Sequence, residues 1–227
     1  MNIKKSAAES IFQICSYEHL GVLTNYDSNN LAKCDFDHDL YRSSLSKFQT
    51  STLSRIIHNR KSYRVFNNTF EENTLQSILF NAYSLTDQNG SYTIPQAGGL
   101  PTMGLIIISN CEKKWQLYKY NPSKYELNYI CPMGVALDAL FYTKSIDFDS
   151  AKYCIIITSD LETISKQYLA RGFKFSCFQA GHIAQNILLY STELNIKAIP
   201  LGSLIEDNIQ KTCLLPTNYY PLYAVIM

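Results

Sequence analysis

The feature that most constrains this chain is a long helical pattern over Phe175 to Asn195. Its side chains are mostly apolar, and they are not confined to one narrow stripe. A helix of this kind has to be buried on more than one side. We therefore predict a central helix. Gln179 and Asn186 lie inside it and will need hydrogen-bond partners if they are buried.

Apolar runs of strand length surround this helix. Two of them read as buried strands, two more as late strands, and a further pair as a hairpin around Asn121-Pro122-Ser123. They are Met103–Ile108 and Tyr153–Thr158, then Lys197–Leu201 and Pro221–Met227, and the hairpin strands Trp115–Tyr120 and Tyr125–Tyr129.

Two further segments have helical spacing. One begins near Thr69 and is predicted to end at Asp87 to Gly90, and the other covers Met133 to Tyr142. Helices and strands are mixed without strict βαβ alternation, which indicates the α+β class. Residues 1–48 are polar and irregular, so we interpret them as an N-terminal extension with room for one helix, and residues 49–227 as one domain.

Composition excludes several classes of function. The net charge of +1 gives no broad attraction to nucleic acid or to an anionic membrane. The seven cysteines include no C-x-x-C pair, and the four histidines have no metal-ligand spacing, so no metal site is expected. Without a membrane-length apolar run or a secretory signal, we expect a cytoplasmic protein with reduced thiols.

Among short motifs, a basic cluster at residues 60–64 is the first candidate site. Arginine forms bidentate bonds to phosphate, lysine adds a point charge, and serine adds a hydroxyl. The alternative is a solvated basic turn. No G-x-G-x-x-G motif, Walker loop or H-E-x-x-H motif accompanies the cluster, so a Rossmann or phosphate-loop enzyme is disfavoured.

Two later segments are less specific when taken singly. Ile94-Pro95-Gln96-Ala97-Gly98-Gly99-Leu100-Pro101 would let backbone approach a flat ligand, or it is a plain turn. Arg171-Gly172-Phe173 precedes Gln179-Ala180-Gly181-His182. From Gln179 onward the long helix contains several polar side chains. That helix could equally be packed on another subunit.

The order of these motifs is more specific than any one of them. Arg-x-Ser-x-Arg, a Leu/Ile helix, Pro-x-Ala-Gly-Gly and a strand resemble the opening of the nitroreductase superfamily. Tyr-x-x-Arg-Gly-Phe, Ala-Gly-His-x-x-Gln-Asn and Ala-Ile-Pro-Leu-Gly-Ser resemble its SagB-type branch, the FMN-dependent oxidases of thiazole- and oxazole-modified peptides. The resemblance covers about residues 54 to 226.

The resemblance implies a nitroreductase-like FMN-binding fold, a central mixed sheet flanked by helices, and an intertwined homodimer with FMN at its interface. It assigns three groups of residues to the cofactor. The phosphate and ribityl chain would contact Arg60, Lys61, Ser62 and Arg64; a loop reaching in from the partner subunit would contain Pro95, Gln96, Ala97 and Gly98; and the flavin ring would lie near Gly202 and Ser203.

The chain departs from the branch pattern near the reacting centre. The usual Lys-Tyr pair is Gln167 and Tyr168 here, with Lys166 one residue out of register. Tyr168 is the candidate catalytic base, which would need a cation such as Lys166 beside it. The alternative is a helix residue near the dimer seam. Gln96 and Gln179 replace the usual Ser and Glu.

Three functions remain open at this point. The first is an azoline oxidase acting on a precursor peptide beside a cyclodehydratase partner. The second is an FMN reductase of a small electrophile, such as a nitro, quinone or dehydroamino-acid group. The third is a non-catalytic scaffold in a peptide-modifying complex.

Overall fold

The computed structural model describes Phe48 and residues 51–227, so the extension predicted over residues 1–48 lies almost wholly outside the described part. Five α-helices and six strands are present in that part. The helices are α1 (Thr52–Asn59), α2 (Glu72–Ala82), α3 (Leu161–Tyr168), α4 (Arg171–Glu193) and α5 (Glu206–Thr212). The strands are β1 (Met103–Cys111), β2 (Lys114–Asn121), β3 (Glu126–Pro132), β4 (Tyr153–Asp160), β5 (Ile199–Leu201) and β6 (Tyr219–Ile226).

The six strands form one sheet in the order β3-β2-β1-β4-β6-β5. Every pairing between these strands is antiparallel, so the prediction of a mixed sheet is wrong for the described chain. The reason is topological. Strand β5 runs in the same direction as β4, but β6 lies between them, so neither strand meets a parallel neighbour. The α+β class itself is confirmed.

Both faces of the sheet are covered, which explains the continuous apolar runs in β1 and β4. Successive strand residues point to opposite faces, so Leu105 and Ile107 join the core beneath α2 and α4. Ile106 and Ile108 join a second core on the other face. Helix α4 is the predicted central helix, and it begins at Arg171 rather than Phe175.

The second face is covered mainly by irregular chain, where a helix over Met133–Tyr142 had been predicted. Only Leu137–Leu140 forms a turn of 3₁₀ helix. The two ends are held apart by backbone bonds, because Met133 N–H donates to Trp115 O and Tyr142 N–H donates to Ser203 O. The apolar residues of this segment still face the core, but the predicted helix over Met133–Tyr142 is wrong.

Helix α2 also ends earlier than predicted. Tyr83 already has an extended backbone, with φ −154°, and an isolated bridge then pairs Leu85 with Tyr92. Asp87 to Gly90 therefore forms the turn of this bridge and does not end the helix. Within residues 51–227 no helix is long and apolar enough to cross a bilayer.

Candidate active site

The corner between α3 and α4 positions the candidate base. Asp160 begins α3 because its carboxylate accepts the Thr163 N–H at 3.0 Å. Gly172 lets α4 pass close to α3, since a Cβ at this position would lie 3.0 Å from Ile164 Cγ2 and 3.2 Å from its carbonyl carbon. Tyr168, the last residue of α3, is thereby placed at the corner.

The ring of Tyr168 is held edge-on against Phe175 of α4, with ring centroids 5.0 Å apart. Its hydroxyl accepts a hydrogen bond from Gln167 Nε2 at 3.3 Å. Leu169 follows in the left-handed region, at φ 53°, and turns the chain toward α4. The predicted pair Gln167 and Tyr168 is therefore one hydrogen-bonded unit.

The loop of residues 95–99 lies directly against this unit. A Cβ added to Gly98 would stand 2.5 Å from the Tyr168 hydroxyl and 2.9 Å from Gln167 Nε2. Such distances are shorter than real contacts, so a Cβ here would displace the ends of these two side chains, and the φ of 61° also favours glycine. The structure thus brings together two segments that the sequence could connect only by resemblance.

The same loop is anchored by two glutamines. Ala97 N–H donates to Gln179 Oε1 at 3.3 Å, and Gln96 Nε2 donates to the Tyr83 hydroxyl, also at 3.3 Å. Burial is the main cause that raises the pKa of Tyr83, whose hydroxyl donates in turn to Met103 O. The expected partner of Gln179, a buried residue of α4, is therefore the loop. Asn186 binds Ala82 O instead.

Lys166 is directed elsewhere. Its ammonium group pairs with Glu162 Oε1 at 3.1 Å, one turn back along α3, and its side chain is 70% exposed. The hydrogen-bond partner of Tyr168 is therefore the neutral amide of Gln167. Lys166 forms its salt bridge with a surface carboxylate instead. The sequence left open whether Lys166 would turn inward.

The basic cluster follows α1 as an extended segment. Tyr63 N–H donates to Ala198 O at 3.1 Å, and Arg64 O accepts from Asp147 N–H at 2.9 Å. These two bonds fix the backbone of the segment across the body of the protein, while the side chains of Lys61, Ser62 and Arg64 are exposed. Arg60 Nη1 also approaches Ser62 Oγ at 3.5 Å.

Tyr223 of β6 lies beside the third predicted group, because a Cβ at Gly202 would lie 3.7 Å from the Tyr223 ring. Burial raises the pKa of Tyr223, and the Arg60 guanidinium offsets part of that rise. No sequence signal indicated Tyr223, because an aromatic residue in a strand is ordinary.

The basic cluster, together with Gly202 and Ser203, is suited to an anionic ligand. Among the described residues, Arg60, Lys61 and Arg64 take part in no salt bridge, so their charges are not neutralised there. Ser203 Oγ is buried and has no hydrogen-bond partner within the described part of the chain. Guanidinium, ammonium and hydroxyl donors are the groups that hold a phosphate, and Gly202 leaves its backbone open to a ring. The donor set therefore fits the phosphate and ring of FMN.

Comparison with known proteins identifies the fold and the family. The sequence profile described as the Nitroreductase family matches residues 57–227. A nitroreductase-like protein of Methanocaldococcus jannaschii is 30% identical over 146 residues, which are 62% of this chain and 72% of that protein.

Two solved structures extend the likeness. A nitroreductase-like protein from Ralstonia eutropha has a TM-score of 0.69 at 18% identity, covering 78% of this chain and 81% of its own. A chain of the E. coli microcin synthetase McbBCD complex, solved with truncated pro-MccB17 bound, has a TM-score of 0.64 at 18% identity, covering 98% of this chain and 92% of its own. With three quarters of its length matched by the family profile, this chain belongs to the nitroreductase family.

Proposed function

We propose that the protein binds FMN at the basic cluster and oxidises azoline rings to azoles in a ribosomally made peptide, on the SagB-type branch of its family. When bound, FMN supplies the two-electron acceptor for the hydride that leaves the ring. The observation that carries the proposal is the contact of Gly98 with Gln167 and Tyr168, which sets a phenol beside a loop that can admit a flat ligand.

The chain's own residues would divide the work. Arg60, Lys61 and Arg64 bind and orient the cofactor phosphate, and Ser203 contributes a hydroxyl near the ring. The Tyr168 oxygen accepts the proton from the azoline carbon as the hydride leaves from the ring. Each ring thus loses two hydrogens, and dioxygen takes up both electrons and becomes hydrogen peroxide.

The microcin synthetase neighbour supports peptide as the substrate class. That chain belongs to a complex with truncated pro-MccB17 bound, and its TM-score against this chain is 0.64. At 18% identity the likeness is one of fold alone, so substrate and partners here remain proposals. A cyclodehydratase that makes the azoline is the partner this function requires.

Mass spectrometry tests the function. An azoline-containing peptide incubated with protein, FMN and air should lose two hydrogens per ring oxidised, with one hydrogen peroxide formed for each loss. A gain of two hydrogens by an electrophile, with consumption of a nicotinamide donor, would contradict the oxidase. An inert protein that carries no flavin would identify a scaffold.

One observation favours the second candidate, an FMN-dependent reductase of a small electrophile or a dehydroamino acid. The partner of the Tyr168 hydroxyl is a neutral amide, and the nearest lysine along the chain is bound to Glu162. A neutral phenol is a better proton donor than acceptor, and a reductase needs a donor. The direction of mass change decides between the two.

Arg60→Ala is expected to weaken FMN binding roughly 10- to 100-fold, since a hydrogen bond to a charged group contributes about 1.5–3 kcal/mol. Fluorescence titration of FMN into apoprotein measures the change. Arg55→Ala is the matched control, because Arg55 is an exposed arginine on α1 whose side chain donates to Thr52 Oγ1. Equal affinities for the two variants would favour the solvated-segment interpretation.

We also expect a homodimer whose two chains share each FMN. Helix α1 contains no buried residue, and its apolar side chains Leu53 and Ile57 are 57% and 49% exposed. Phe178 on α4 is 52% exposed, so both helices present apolar side chains that a second chain could cover. Sedimentation at low micromolar concentration should give the mass of two chains, and Ile57→Glu should shift it toward one with loss of flavin. A monomer with stoichiometric FMN would contradict this.

A further inference from the structure

The carboxamide of Gln179 is hydrogen-bonded through its oxygen, and its nitrogen has no partner among the described residues. An N–H can only donate, so the bond from Ala97 N–H fixes Oε1 toward the loop and leaves Nε2 as the other end. Gln179 is 2% exposed, and Nε2 has no hydrogen-bond partner among the described residues. Burying an amide donor without an acceptor costs free energy of folding, so we expect a ligand to supply the acceptor for Nε2.

Gln96 shows the complementary arrangement. The Tyr83 hydroxyl gives its proton to Met103 O and so accepts from Gln96 Nε2. The free end of Gln96 is therefore the acceptor Oε1, which is buried and has no partner among the described residues. One unpaired donor and one unpaired acceptor are thus held on side chains that flank the same peptide unit, that of Ala97.

We propose that Gln96 and Gln179 form a two-point site for an amide-type group of the ligand that reacts beside Tyr168. Gln179 Nε2 donates to the ligand's C=O, and Gln96 Oε1 accepts from its N–H. The group that fits this pair of donor and acceptor is the peptide bond next to the azoline, so the inference rests on the proposed function.

Access to this site requires a displacement of the loop, because solvent reaches neither atom in this structure. Gly98 stands at φ 61°, and glycine changes backbone conformation at little cost. A cleft of about 570 Å³ already opens on one side of the loop, and Pro95 and Gln96 line it. The cleft gives an extended peptide a path to the Gln96 carboxamide.

Gln179→Glu is the discriminating variant, since it keeps the acceptor for Ala97 N–H and removes the free donor. Gln96→Met removes the free acceptor. Gln88→Glu, in the exposed turn before the cleft, controls for added charge. Two dissociation constants are measured for each variant: FMN with apoprotein, and a doubly blocked thiazoline peptide with the FMN-loaded protein. Thermal unfolding is followed in parallel.

We expect about 10-fold weaker peptide binding in both variants and no change in the control, the effect of one unmade hydrogen bond in a buried site. Weaker peptide binding with unaltered FMN binding assigns the site to the substrate amide. Weaker FMN binding overturns the proposal, because the two glutamines then act on the cofactor. Unchanged dissociation constants for both ligands overturn the proposal, with or without a lower melting temperature. A wild-type protein that does not bind the peptide, while FMN binding is unaltered in the variants, also overturns it. Neither measurement needs turnover, so a protein that fails the mass-change assay can still pass this test.

Discussion

Tyr168→Phe should lower the rate of azoline oxidation about 10²- to 10⁴-fold while FMN remains bound, which is the usual contribution of a positioned general base. The variant keeps the ring that packs on Phe175 and removes only the hydroxyl that contacts Gln167 and Gly98. Single-turnover kinetics with the azoline peptide, together with the flavin absorbance of the purified variant, measure both parts of the expectation.

Tyr129→Phe is the control for this change. Its hydroxyl belongs to a side chain that is 56% exposed on β3, remote from the α3–α4 corner in the sheet order. Full oxidation activity in Tyr168→Phe would refute the catalytic assignment and leave the family assignment untouched. A much smaller loss would fit a reductase in which Tyr168 is a proton donor or part of the pocket wall.

Gln167→Lys offers a test in the opposite direction. The Gln167 amide already donates to the Tyr168 hydroxyl, so an ammonium at this position would place a cation beside the phenol and favour its phenolate. We expect the oxidase rate to rise. Gln167→Met, of similar length and no charge, should not raise it; an equal response of both variants would exclude the electrostatic explanation.

The sequence predicted elements well where one physical pattern dominated. The buried strands β1 and β4 and the central helix α4 were recognisable because long apolar runs have few alternative placements. The short helix α3 was missed, although Asp160 before Leu161 and Thr163 is an ordinary helix-capping signal. Met133–Tyr142 was wrongly assigned as helix because its apolar spacing reports burial, and burial there is achieved by irregular chain.

The candidate site was predictable only as separate pieces. Arg60 and Gly202 are 142 positions apart in the sequence, and nothing in either motif indicates Tyr223, whose ring lies beside Gly202. The partner of Gln179 could be anticipated as a need, since a polar side chain in an apolar helix requires one. Its identity, the backbone of Ala97, depends on the tertiary packing of the loop against α4.

Gly98→Ala is expected to reduce turnover on the order of 10²-fold, since misplacement of a reacting group by about 1 Å can cost that much. The added Cβ would meet the Tyr168 hydroxyl at 2.5 Å, so either the loop or the phenol must move. Gly99→Ala is an unusually close control. Its φ of 67° carries the same backbone penalty, about 1–2 kcal/mol, but its Cβ would have no neighbour within 4 Å.

Comparing the two alanine variants separates backbone strain from displacement of Tyr168. Similar losses of melting temperature are expected in both, because that penalty is shared. Only Gly98→Ala should lose turnover, and combining it with Tyr168→Phe should add little further loss, because both act on one hydroxyl. Fully additive losses would show that Gly98 and Tyr168 contribute independently, and the contact on which the proposed function rests would then have no part in the chemistry.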